Sequence, residues 1–314
     1  MLTKDIFFQD MENFGVSSSH ITKEIQDPQL LEIDKIYGAA SGLSAQNAKK
    51  YHNTLLYLSI VGGLLALTFL IYDEFDFHGT IFICGLLLIA IYLIHRKANT
   101  MEYHKKYLEY RVLAEALRLQ FYISSAGIKE DVINLLPWSI KRSIPWITDL
   151  LLTLPVDYYN EKVSILDLWI IDQRLYHESA LVITEKQNRR NEYITKGVLY
   201  ITIFIYIVAI LFDLAIFFNL IGGVDFTNIY LLLKIAIGLM SVVTIVVESY
   251  YGKLSLFNKI NDHKRMIELY EMAEMEISAH GETEEIIMNL AREFINENST
   301  WYAYQSNNKP GLVI

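Results

Sequence analysis

Two ionisable side chains, Asp213 and Lys234, lie inside apolar stretches long enough to cross a membrane. An isolated charge at such a depth costs about 2.5–3.5 kcal/mol on insertion scales, so each calls for a partner, a wet cavity or a pore. Asp213 lies about eight residues, roughly 12 Å, from the end of its stretch, and Lys234 about six residues, roughly 9 Å, below the same surface on the return. Equal depth makes them natural partners. Two readings follow: a salt bridge that fixes the register of two helices, or the lining of an ion pathway formed between subunits. Glu248, about a turn from the opposite interface, is expected to snorkel toward Lys253 or water.

A second set of chemically able residues recurs. His104-Lys105-Lys106-Tyr107-Leu108-Glu109 continues to Ala114-Glu115, and His263-Lys264-Arg265-Met266-Ile267-Glu268 continues to Ala273-Glu274, at a constant offset of 159 residues. The chain thus has the pattern of a tandem duplication, each unit being two transmembrane helices followed by a cytosolic helix. The repeated His and Glu are expected to contact symmetry-related groups between the copies. His and Glu at i and i+5 lie on different faces of a helix, so no metal site is expected. His177 sits beside Glu178 and near Asp172 with no nucleophile and positioned base, which suits a packed or surface histidine. No HExxH, GxSxG, Walker loop or GxGxxG occurs, so neither an enzyme nor a cofactor is expected.

The elements that must position these residues are four apolar stretches: Leu55–Tyr72, Thr80–Ile94 (extending over Gly79–Arg96 by snorkelling), Gly197–Leu220 and Ile229–Tyr251. Lys and Arg flank them on one side only, while the loops Asp73–His78 and Ile221–Asn228 carry none. The positive-inside rule therefore places both termini and the middle segment in the cytoplasm. The net charge of −9 argues against nucleic acid, because the basic residues stand where membrane lipid would use them. A lone Cys84 fits a reducing interior. Met1–Gln26 has no apolar core of a cleaved signal, so the first span is expected to direct insertion.

Five segments follow. Residues 1–27 form an N-terminal lead-in, disordered or docking. Residues 28–127 form the first repeat, opening on Asp27-Pro28, a cap followed by proline at the first helical position. The helix from there either continues into the first span or breaks at Gly42. Apolar Tyr103, Tyr107, Tyr110, Ala114, Leu117 and Phe121 make a seam, and a rod over Gly79–Ser125 would be roughly 70 Å long. Residues 128–161 are a connector with Pro137-Trp138 and Pro145-Trp146 around Lys141-Arg142, suited to a headgroup interface or to packing on the bundle. Residues 162–296 hold the second repeat, with a helix over Val163–Lys196 and a last one over about Glu282–Asn296. Residues 297–314 are a polar tail. Asn298-Ser299-Thr300 matches the glycosylation pattern but falls on the cytoplasmic side.

Asn47–Tyr51, the run Tyr107-Leu108-Glu109-Tyr110-Arg111 into Leu113-Ala114-Glu115-Ala116-Leu117-Arg118, and Trp169 with Asp172-Gln173 and Tyr176-His177 resemble the bacterial SLATT group. These are two-transmembrane effector domains associated with SMODS nucleotidyltransferases and SLOG sensors. The resemblance covers Ile33–Glu192 and extends further through the duplication. It implies an inner-membrane effector of antiphage conflict systems that perturbs the membrane or opens a pore when a nucleotide-derived signal is sensed. The chain departs from that pattern in having two membrane pairs and no SLOG domain, so the sensor is either a SLOG, TIR or nucleotidyltransferase partner or the helical bundle itself binding a nucleotide second messenger.

The expectation is therefore an all-α polytopic membrane protein with a cytosolic helical bundle. It would be a homo-oligomer, since four spans with so few polar positions enclose no aqueous path alone. The competing expectation is a membrane-anchored scaffold that recruits a soluble partner and conducts nothing.

Overall fold

The computed structural model describes residues 2–15, 20–21, 27–75, 79–154, 163–218, 227–254 and 256–307. Among these the chain is all helical, without strands. Four helices are long and apolar enough to cross a membrane. Two compact units form: a packed unit of Met1–Tyr51, Glu102–Leu181 and Asn261–Ile314, and a span unit of His52–Met101 and Val182–Ile260.

In the packed unit, α1 (Lys4–Phe14) is an ordered, docked helix. Its Phe7 is fully buried, stacked on Trp146 at 5.9 Å and edge-on to Tyr110 at 5.4 Å. Asp10 on the same helix accepts hydrogen bonds of 2.6 Å from Lys106 Nζ and Tyr110 Oη. Helix α2 (Pro28–Phe75) starts where Asp27 Oδ1 caps the amides of Gln29 and Leu30. It does not break at Gly42. A Cβ there would lie 2.5 Å from the Phe14 ring, so the glycine is where α1 presses on α2.

Helix α3 (Thr80–Thr100) and helix α4 (Tyr103–Ser125) replace the single expected rod. They part at Glu102, whose φ of 49° is left-handed and interrupts the helical ladder. The seam residues Tyr110, Ala114, Leu117 and Phe121 are buried as expected, but so are Leu113, Ala116, Leu119 and Gln120 on other faces. Burial on more than one face puts this helix at the centre of the core, charged residues included. Around it, α5 (Val132–Leu135), α6 (Trp138–Ser143) and α7 (Pro145–Leu151) are short helices of the connector. Trp146, Ile147 and Leu150 enter the core, whereas Trp138 stays exposed. Packing on the bundle, not the headgroup interface, claims Trp146.

A π-helical turn, Leu166–Ile171, leads into α8 (Asp172–Phe217). The Glu282 carboxylate accepts from Ser164 Oγ and from the Ile165 and Leu166 amides, satisfying the open start of that helix. Helix α9 (Thr227–Leu254) and helix α10 (Leu256–His280) follow. The last helix, α11 (Glu284–Asn307), runs well past Asn296. Asn298 and Trp301 are buried on it, so the expected polar tail is helix through Asn307, and the asparagine of the glycosylation pattern is buried.

The span unit packs differently. No residue in the most apolar windows of α8 and α9 is buried. Its close approach is between α2 and α9. A Cβ on Gly63 would stand 2.9 Å from Val246 Cγ2, and one on Gly238 2.7 Å from Leu70 Cδ2. Small residues at these points let two backbones come together, the usual device inside a bilayer.

Candidate functional site

In the span unit, α8 and α9 meet through hydroxyls. Thr202 Oγ1 lies 3.2 Å from Thr244 Oγ1, and Tyr206 Oη 3.4 Å from Ser241 Oγ. The pairing is antiparallel, one helix advancing as the other recedes. Seven residues further along α8 and back along α9, the same register brings Asp213 level with Lys234. At 3.6 residues per turn, Thr202, Tyr206 and Asp213 fall within about 40° of one another on α8, as do Lys234, Ser241 and Glu248 on α9.

The partner of Lys234 differs from the expected one. Its Nζ is 2.7 Å from Glu74 Oε1, a carboxylate whose side chain is 7% exposed. Glu74 belongs to the last turn of α2, because that helix runs on to Phe75 through what the sequence suggested was a loop. A carboxylate at a helix C-terminus opposes the helix dipole, and the ammonium relieves it. Asp213 is exposed and has no hydrogen-bond or ion-pair partner among the described residues, and the same holds for Glu248. Lys253, the cation expected near Glu248, has its side chain outside the described residues.

The repeated signature lies in the packed unit, where His104, Glu115, His263 and Glu274 each meet a residue of the same repeat, while Tyr107 and Glu109 meet Trp301 and Trp146 outside it. The His104 ring rests on Tyr51 at 4.6 Å, and His263 Nδ1 is 3.0 Å from His177 Nδ1. Tyr51 belongs to α2 and His177 to α8, helices that each continue into a span. Glu109 is buried and accepts 2.6 Å from Trp146 Nε1. Burial pushes its carboxyl above the ordinary range, against the pull of Trp146 and Lys105. Its counterpart Glu268 is exposed. Glu115 pairs with Arg118, and Glu274 with Arg174 Nε at 3.1 Å. Ala114 and Ala273 are both buried.

Around Arg118 the packed unit carries a charged core that the sequence did not disclose. Its guanidinium lies 5.3 Å from the Phe294 ring centre, with the Tyr122, Tyr37 and Tyr270 phenols close to it. Burial works against its charge, but the Glu115 carboxylate outweighs it and holds the guanidinium more firmly protonated than an ordinary arginine. Arg111 stacks 4.0 Å over Trp301, near Glu297 and Asp262, whose carboxyls burial raises. Trp169 stacks on Tyr122 at 4.9 Å and points its Nε1 toward the Tyr270 hydroxyl without completing a hydrogen bond. Among the described residues no three His, Cys, Asp or Glu gather to hold a metal.

His177 gives this core a pH dependence. Burial first, then His263, Arg118 and Arg111, lower its basicity from 6.5 to about 3. In the unfolded chain it takes up a proton near pH 6.5, so its contribution is complete above that value and lost as pH falls toward 3. The thermal midpoint of the wild type should therefore fall more between pH 7.5 and 5 than that of His177→Gln. Equal falls would contradict this.

In comparisons with family models, curated proteins and solved structures, nothing matches the chain.

Proposed function

We propose that the chain is an oligomeric effector of bacterial antiphage defence in the inner membrane, with both termini cytoplasmic. A nucleotide-derived signal, or a SLOG, TIR or nucleotidyltransferase partner, engages the packed unit, and the spans of several copies open or gate an ion pathway. The observation that carries the reading is Asp213, an exposed carboxylate within a span and without a partner among the described residues. Facing hydrocarbon, it would bear the cost of an uncompensated charge. Facing a wet path shared with other copies, it would not. The bare faces of α8 and α9 favour the same arrangement.

The signal acts by shifting a population between closed and open bundles. Helices α2 and α8 each supply residues to both units without interruption, which gives a rearrangement among the signature contacts a direct mechanical route into two spans. The scaffold alternative draws on an open groove of about 760 Å³ between α10 and α11, floored by Leu269, Ala273, Ile286 and Leu290.

Induced expression in a bacterial host, with a potential-sensitive dye, tests the reading. The wild type should depolarise the membrane and arrest growth, and Asp213→Asn, inserted in equal amount, should lose most of both effects. Identical behaviour of the two would favour the scaffold.

A further inference from the structure

We infer that the path lined by the α8–α9 stripe passes cations and rejects anions. This rests on the ion-pathway reading above and adds the class of ion.

Three observations carry it. The one ammonium on the stripe, Lys234, is already met by the Glu74 carboxylate at 2.7 Å, so its charge is compensated locally. The two carboxylates on the stripe, Asp213 and Glu248, are exposed and have no partner among the described residues. Asp213 is level with Lys234, and Glu248 lies fourteen residues further along α9, about 21 Å at 1.5 Å per residue. A ring of copies therefore sets one band of negative charge toward each end of the spans. Rings of Asp or Glu of this kind select cations.

The third observation concerns the levels between the bands. Thr202 Oγ1 can donate to the Val198 carbonyl at 2.8 Å, Ser241 Oγ to Ile237 at 2.9 Å and Thr244 Oγ1 to Met240 at 2.8 Å. Ser241 and one of the two threonines keep their protons on the backbone while the other threonine donates across the pair, so oxygen lone pairs remain along the seam. Tyr206 Oη can direct its own proton to Ser241 Oγ. Oxygen acceptors stabilise a partly dehydrated cation, whereas an anion would need donors. Charge and dipole thus have the same sign of preference from end to end.

The test is the reversal potential across planar bilayers holding the full-length protein in a tenfold KCl gradient. Cyclic di-AMP and cyclic ADP-ribose serve as nucleotide probes. The wild type should reverse on the potassium side, Asp213→Asn should move toward zero, and Asp213→Lys should move further toward chloride. Because the lysine variant can fail to insert, Ser241→Ala with Thr244→Val provides a second arm and should lower potassium current at least several-fold. Current without cation preference, or with chloride preference, overturns the inference and leaves the pathway reading standing. No current with any protein or probe overturns both.

Discussion

Replacing Arg118 by methionine should destabilise the packed unit by about 3–5 kcal/mol, the range for removing one member of a buried ion pair. The arginine side chain is 13% exposed and its partner Glu115 19% exposed. Methionine fills similar space but leaves the Glu115 carboxylate in the core with its nearest cation gone. It also removes the charge around which Tyr37, Tyr122 and Tyr270 are arranged. The double variant Arg118→Met with Glu115→Gln should recover much of the loss, since an apolar or neutral pair often replaces a buried ion pair without penalty. Thermal unfolding in detergent measures both. A single variant as stable as the wild type would mean that the guanidinium is solvated rather than caged.

Gly63→Leu should have the largest effect in the span unit, about 1–3 kcal/mol by overpacking. Even a Cβ at position 63 meets Val246 Cγ2 at 2.9 Å. Valine in a helix has one strongly favoured rotamer and cannot swing aside. The backbones of α2 and α9 must separate, and the 2.7 Å contact between Glu74 and Lys234 lengthens with them. Gly238→Ala provides the contrast. Its Cβ would meet Leu70 Cδ2 at 2.7 Å and Cδ1 at 2.8 Å, both at the tip of a flexible side chain that can turn away. A small effect is expected there. Equal midpoints for Gly63→Leu and wild type would show that the α2–α9 seam does not hold the spans together.

The four spans were legible because length and apolarity are properties of a continuous stretch of sequence. The cap at Asp27-Pro28 was legible because it is local. What escaped was decided by contacts distant in sequence. Phe7 and Trp146 lie 139 positions apart and are brought together only by docking of α1 on α7, so neither the lead-in nor the connector announced its place in the core. Glu102 has a common residue type in an uncommon backbone conformation, and nothing in Thr100-Met101-Glu102 marks the break. The level of Asp213 and Lys234 followed from counting along two antiparallel helices. The true partner, Glu74, required the position of a third helix. A helix in this chain can also continue through polar residues that suggest a loop or tail, as α2 does at Asp73-Glu74 and α11 does beyond Asn296.

The charged core around Arg118 was hidden for a related reason. Tyr107-Leu108-Glu109-Tyr110-Arg111 and its continuation to Arg118 carry the charge pattern of a solvated helix face, yet α4 is surrounded on all sides. The Glu115 carboxylate, with the polar tyrosines of α2, α4 and α10 around the pair, makes burial of that charge tolerable.

Ion flux from proteoliposomes shows whether copies of this chain form a pathway dependent on Asp213. Purified wild type and Asp213→Asn are reconstituted at equal density, with and without cyclic di-AMP and cyclic ADP-ribose. The expected result is dye-reported potassium flux from the wild type that a nucleotide raises and that the variant largely loses. Intact oligomers that pass no ion under any of these conditions, or a variant that conducts as the wild type does, would contradict it.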